Sequence, residues 1–254
     1  MSFAKKEGLF ITIDANIGAG KTNACHALAS ASGSGSRQSK VLEEPTNTQK
    51  FRNFLSHYYS DLITGKNTGG GFEMQMFMLC QRYEQHRLAV ELAWGENGIT
   101  VIQDRPIYGD TVFATTAMER GFMTKDEFDL YVDVIRNMSR DIMPPDIFVY
   151  LNVSPEECHR RMNNRSRTEE EGVPLEYLQH LDSNYKKLVN EMRRRGIRVL
   201  EVDWHEFGPP VVLWNKILGM TGSNESWYEL LSFSFAKQPG IPVIPNADEG
   251  NKTQ

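Results

Sequence analysis

The chain is poor in the features that mark several protein classes. It has only three cysteines in 254 residues, Cys25, Cys80 and Cys158, widely spaced and with no CxxC pair. That excludes a disulfide framework and a zinc site, and predicts reduced thiols in a cytoplasmic compartment. It has no long apolar run. The longest uncharged apolar stretches, such as residues 147–153, are far short of the ~20 residues that span a bilayer. Residues 1–8 are polar, with two lysines and no apolar stretch, so no secretory leader is expected there. It also lacks basic excess: 28 Lys and Arg stand against 33 Asp and Glu, a net charge of −5. Broad nucleic-acid binding needs a basic footprint, which is missing. No internal repeat is visible.

What is present alternates. Short β-rich runs at residues 8–13, 40–43, 99–103, 146–153 and 197–202 are separated by helical stretches. The runs are continuously apolar, as in strands covered on both faces. This order predicts an α/β fold with a five-stranded parallel sheet and helices on both sides. Helices are expected over residues 21–30 and 72–93, after Thr124 with Glu127 as a capping box, and after Ser154-Pro155. Another ends at Arg193-Arg194-Arg195 before Gly196, where three cations suit the negative helix end. Residues 30–39 and 64–71, rich in Gly and Ser or Thr, are expected to be mobile loops. One domain is expected over residues 1–231. From residue 232 onward, Pro239, Pro242 and Pro245 lead into a polar tail that is expected to be disordered.

The strongest local signal is Asp14-Ala15-Asn16-Ile17-Gly18-Ala19-Gly20-Lys21-Thr22, a strand running into a Gly-rich turn and then a helix. Such a turn aims backbone N–H groups at phosphate oxygens, and the helix N-terminus adds a favourable dipole. Residues 16–22 therefore form the candidate phosphate cradle. Lys21 would reach the β- and γ-phosphates, and the Thr22 hydroxyl would ligate Mg²⁺. Ala15 stands where the common motif has glycine, which is harmless if its φ is negative. A cradle serves ATPases, GTPases and kinases alike, so other residues must choose among them.

Glu44-Pro45 follows the second strand, at the end of the sheet where ligands bind in such folds. Glu44 can be a solvated loop acid or the acceptor of a hydroxyl proton during phosphoryl transfer. Asp104-Arg105-Pro106 follows the third strand. Arg105 can hold the Glu44 carboxylate, and Asp104 can attend Mg²⁺; the two can equally form a local pair that fastens the loop. Gln75 and Arg82 lie seven residues apart and so on one helical face. On an apolar stripe each needs a partner, and Arg82 can pair with Asp110. The methionines around them, Met74, Met76 and Met78, read as packing. Arg160, Arg161, Arg165 and Arg167 cluster ahead of Glu169-Glu170-Glu171, either as a charged helix end in solvent or as a lid that closes on phosphates.

Taken together and in order, residues 9–207 resemble the deoxynucleoside kinase family, the group with deoxycytidine, deoxyguanosine and bacterial deoxyadenosine kinases. The likeness rests on IGAGKT, Glu44-Pro45, Gln75, Asp104-Arg105-Pro106, Arg165-Ser166-Arg167 and the segment from Val173 to Leu178. It implies a P-loop kinase fold using ATP and Mg²⁺. It implies Glu44 as base for the 5′-hydroxyl, Arg105 as its support, and Lys21 on the phosphates. Gln75 would read the nucleobase, and Tyr59 and Glu170 would hold the 3′-hydroxyl. Arg161, Arg165 and Arg167 would form a lid at about residues 160–172, and Thr22 and Asp104 would attend the metal. Arg82 with Asp110 favours deoxyadenosine or deoxyguanosine and leaves deoxycytidine open. The family usually forms homodimers. Asp14 and Pro106 depart from the usual Glu and Ser, and Pro106 takes away an N–H after Arg105. Two other readings stand beside this one: a nucleoside monophosphate kinase of the thymidylate type, and a nucleotide-binding scaffold without catalysis.

Overall fold

A computed structural model describes residues 8–33, 38–46, 48–95, 98–139, 142–165 and 170–221. Five strands form one parallel sheet: β1 (Phe10–Asp14), β2 (Ser39–Leu42), β3 (Thr100–Asp104), β4 (Ile147–Asn152) and β5 (Val199–Asp203). Their order across the sheet is β2-β3-β1-β4-β5. β1, β3 and most of β4 are buried residue by residue, as their Ile, Val and Phe content predicts. β2 and β5 are edge strands with half-exposed residues. The expectation that all five are covered on both faces therefore holds only for the central three. Lys40 and Glu201 mark the difference, since charge on an edge discourages further pairing.

The helices are α1 (Lys21–Ser32), α2 (Gln49–Thr64), α3 (Gly70–Trp94), α4 (Ile107–Glu119), α5 (Lys125–Met138), α6 (Pro155–Arg165), α7 (Leu175–Arg194) and α8 (Pro210–Thr221). α1 and α8 pack together on one face, and α3, α4 and α7 pack in succession on the other. The capping box of α5 forms as predicted, with Thr124 and Glu127 exchanging bonds. The last-turn arginines of α7 are structural: Arg194 and Arg195 pair with Glu191, and Arg193 with Glu201. α4 escapes a periodicity reading because ten of its thirteen residues are buried, leaving no polar stripe.

The segment 64–71 is not a loose loop. Thr64 ends α2, Gly70 starts α3, and Asp61 fastens the turn between them. Its carboxylate accepts bonds from the Thr68 and Gly70 backbone N–H groups and from the Thr68 hydroxyl, at 2.5–3.0 Å. Of residues 30–39, the first three belong to α1, and 34–37 lie outside the described residues, as do Arg167 and the tail. No helix among the described residues is long and apolar enough to cross a membrane. The described cysteines are all free.

Candidate active site

After β1 the chain curls through the glycine-rich turn into α1. Gly18 (φ +81°) and Gly20 (φ +91°) take left-handed backbone, and a Cβ on Gly18 would lie 2.3 Å from the Cys158 carbonyl oxygen. Both positions thus require glycine. Ala15 is not among the residues with positive φ, so the departure from glycine there is tolerated. Asn16 turns inward and braces the loop: its side chain donates to the Leu178 carbonyl at 2.8 Å and accepts from the Ile17 N–H at 2.8 Å. Of the expected cradle, Ile17, Gly18, Gly20, Lys21 and Thr22 line a cleft of about 630 Å³; Asn16 and Ala19 shape the loop from behind. Burial, then the nearby Arg105, lower the Lys21 pKa against the pull of Asp104, Glu44 and Asp14.

Thr22 donates to Asp104 Oδ2 at 2.6 Å. Asp104 is fully buried, and its other oxygen, Oδ1, has no hydrogen-bond partner among the described residues. A buried carboxylate oxygen left open beside a hydroxyl suits a hard divalent cation that takes its remaining ligands from phosphates and water. The site therefore fits Mg²⁺. No group of three or more His, Cys, Asp or Glu side chains that could hold a metal by themselves occurs among the described residues.

The same cleft carries the residues expected on the acceptor side. Arg82, fully buried, donates from Nε to Asp110 Oδ1 at 2.5 Å, from Nη1 to the Arg105 carbonyl at 3.1 Å, and from Nη2 to Glu44 Oε1. The expected pairing of Arg82 with Asp110 is present. The expected support of Glu44 by Arg105 is weaker, an Nε–Oε1 separation of 3.4 Å. Arg105 spends its Nη1 on Asp14 Oδ1 at 2.9 Å and on the Tyr185 hydroxyl. It also stacks 4.7 Å from the centre of the Phe113 ring. No pairing of Arg105 with Asp104 occurs among the described contacts, which removes the local-pair alternative. Arg105 has a φ of +61°, the one non-glycine in left-handed backbone among the described residues. Strain of this kind collects at functional sites and must be held by neighbours; Asp14, Tyr185 and Phe113 are those neighbours. Pro106, as N-cap of α4, is in a place where its missing N–H is not needed.

These pairings set the charges. Burial alone would raise the Glu44 carboxyl, but Arg82, Arg105 and Lys21 outweigh it and hold it well below the usual carboxylate range. Asp110 goes the other way: burial prevails over Arg82 and pushes it up to about 7. Asp110 Oδ2 has no partner among the described residues. Met74 and Gln75 line the cleft about two turns along α3 from Arg82, and Met78 about one turn from it. Met74 and Met78 are core residues as well, so packing and lining are not alternatives here.

Tyr59 and Glu170 both line the cleft. Burial and then Glu170 raise the Tyr59 hydroxyl pKa, so it stays a neutral donor. Arg165 binds Glu170 with Nη2 at 2.5 and 2.6 Å, an acid–arginine pair inside the expected lid. Arg161 is pinned to the phosphate loop: Nη1 donates to the Ala19 carbonyl at 3.0 Å, and Nε to Glu157 at 2.6 Å. Its guanidinium stacks 4.7 Å from the centre of the Phe207 ring. Phe207 is 61% exposed and lines the cleft. Sequence reading missed Phe207, Tyr185 and Asp14 as site residues. For Phe207, an aromatic just beyond the last strand of such a sheet was the only signal.

Comparison with known proteins agrees with this geometry. A family model described as deoxynucleoside kinase matches residues 11–209. The chain is 32% identical over 248 residues to a deoxyadenosine kinase of Dictyostelium discoideum, covering 97% of this chain and 89% of that one. It is 33% identical over 207 residues to a deoxyguanosine kinase of the same organism, covering 82% and 68%. Its fold superposes on a solved structure of deoxyadenosine kinase from M. mycoides with a TM-score of 0.67 and 23% identity, covering 82% and 98%. A family match over most of the chain, joined to a relative alike along nearly its whole length, settles the question the phosphate loop left open: the chain belongs to the deoxynucleoside kinase family and is a phosphotransferase.

Proposed function

We propose that this kinase transfers the γ-phosphoryl group of ATP to the 5′-hydroxyl of a purine deoxynucleoside, deoxyadenosine or deoxyguanosine, with deoxycytidine as a lesser substrate. The observation that carries the reading is the position of Glu44. It stands between Arg82 and Arg105 in the cleft that also holds Lys21 and Thr22. A carboxylate so held can accept the 5′-hydroxyl proton as the oxygen attacks phosphorus. Arg105, fixed by Asp14, offers charge where the transferring group becomes most negative. Lys21, with Arg161 and Arg165, neutralises the triphosphate, and Arg167 completes that set by resemblance. Mg²⁺ held by Thr22 and Asp104 would supply charge neutralisation across the phosphates. Tyr59 and Glu170 hold the sugar 3′-hydroxyl. Gln75, Arg82 and Asp110 meet the base with both donors and an acceptor.

The purine preference is supported by the Arg82–Asp110 pair, whose open carboxylate oxygen suits a base with an exocyclic amine or a ring N–H. A monophosphate acceptor fits less well. The acceptor side carries three acids, Glu44, Asp110 and Glu170, against the cations Arg82 and Arg105, and that excess of like charge opposes an acceptor phosphate. The reading extends to a cytoplasmic homodimer, supported by three cysteines that form no disulfide and by Leu88 on α3 and Leu130 on α5, which are 41% and 52% exposed. A coupled ADP-release assay across the four deoxynucleosides and their monophosphates tests the proposal. Deoxyadenosine or deoxyguanosine should give the highest kcat/KM. Thymidine as best substrate would overturn the base preference, and a faster monophosphate would overturn the acceptor.

A further inference from the structure

Arg82 joins three separate parts of the fold. Its Nε bonds Asp110 on α4, its Nη1 bonds the Arg105 carbonyl after β3, and its Nη2 bonds Glu44 after β2. A guanidinium is planar and rigid, so fixing two of its edges fixes the third. Arg82 is 1% exposed and cannot relax into water. The place of Glu44 Oε1 is therefore dictated from Asp110, on the far side of the guanidinium. Arg105 holds the same oxygen only at 3.4 Å. A residue that served the nucleobase alone would have no need to reach the carboxylate that takes the hydroxyl proton. Asp110, moreover, lines the cleft and keeps one buried oxygen, Oδ2, without a hydrogen-bond partner among the described residues. Whatever engages that oxygen pulls on the group that holds Glu44.

We infer that Arg82 is a positioning residue for Glu44, and that nucleobase recognition at Asp110 is coupled through its guanidinium to proton acceptance at the 5′-hydroxyl. The inference rests on the kinase reading above and deepens it. Its consequence is that base discrimination enters kcat and not KM alone. A lysine at position 82 offers a single point of charge and cannot bridge Asp110 and Glu44 in a fixed fork.

A double-mutant cycle tests this, with Arg82→Lys and Glu44→Gln made singly and together. Single-turnover phosphoryl transfer and the nucleoside Kd without ATP are the readouts. Arg82→Lys should lower the transfer rate by about tenfold in the parent and by less than about twofold in the Glu44→Gln background, because its effect runs through Glu44. Equal losses in both backgrounds, or a loss confined to Kd, would overturn the coupling. If Arg82→Lys fails to fold, Asp110→Asn, which keeps the shape of the side chain, takes its place in the same cycle. The expected pattern is then a loss of about threefold or more in the parent and none in the Glu44→Gln background. Parent enzyme that phosphorylates none of the four deoxynucleosides would overturn the kinase reading and the coupling together. Parent turnover with an additive cycle overturns only the coupling.

Discussion

Thr22 Oγ1 donates to Asp104 Oδ2 at 2.6 Å, tying the first turn of α1 to the end of β3. The Thr22 hydroxyl and the Asp104 carboxylate are thus one unit, with Asp104 Oδ1 left without a partner among the described residues. Substituting Asp104→Asn or Thr22→Val should raise the Mg²⁺ concentration needed for half-maximal activity by about 10–100-fold. A Mg²⁺ titration of each variant at saturating ATP and nucleoside checks this. An unchanged half-point would mean that neither residue attends the metal.

Glu44→Gln keeps size and one hydrogen-bonding face but removes the carboxylate proposed to accept the hydroxyl proton. Turnover should fall by about 10²–10⁴-fold while nucleoside Kd stays within a few fold. Pre-steady-state transfer and equilibrium binding separate the two. Turnover near the parent value would strip Glu44 of its role.

Arg105 is held in left-handed backbone by Asp14, Tyr185 and Phe113. Arg105→Ala should cost about 2.7–4 kcal/mol of barrier, read from kcat/KM, if its charge acts in the transition state. Arg105→Lys should recover little, because one ammonium cannot serve Asp14 and still face Glu44. Full recovery by lysine would show that charge alone suffices.

Gly109 lies against Asp14. A Cβ at position 109 would fall 2.1 Å from Asp14 Oδ2. Gly109→Ala should therefore displace the anchor of Arg105 and destabilise the fold by about 1–3 kcal/mol, seen as a lower Tm. Activity should fall with it. A variant of parent stability and activity would mean the anchor moves without consequence.

His86 supplies a pH dependence of known sign. It is buried against Phe10 and Tyr108, and its Nε2 donates to the Met143 carbonyl at 2.7 Å. Burial, against that bond, lowers its pKa to about 4. As pH falls below about 6.5 the unfolded chain takes up a proton here that the folded chain refuses until about 4. Stability should thus drop by roughly 3 kcal/mol between those limits from this residue alone. Urea unfolding at pH 7 and at pH 4.5 measures the drop. His86→Leu should diminish it, and an equal drop in that variant would place the effect elsewhere.

The glycine-rich turn between β1 and α1 was legible because its signal is local. Strand, glycines, Lys21, Thr22 and helix follow one another within a dozen residues, and two glycines report backbone that other residues rarely adopt. The parallel sheet was legible because continuous apolar runs alternate with helical ones. Gln75, Arg82 and Asp110 stood out because polar groups on apolar stretches need partners. The chain itself thus decided the fold class, the place of the glycine-rich turn and the identity of the charged residues. The sequence offered Asp110 as the partner of Arg82, and the pairing forms, but it did not give Arg82 to Glu44 or Arg105 to Asp14 and Tyr185. Arg82 reaches Glu44 across 38 residues, and Arg105 reaches Asp14 across 91 and Tyr185 across 80. Those pairings follow from the strand order, which brings the ends of β1, β2 and β3 together and lays α3 and α4 beside them. Which arginine holds the carboxylate is decided by where burial leaves each charge its nearest opposite. That depends on tertiary packing, because only the folded sheet excludes the water that would otherwise satisfy them all.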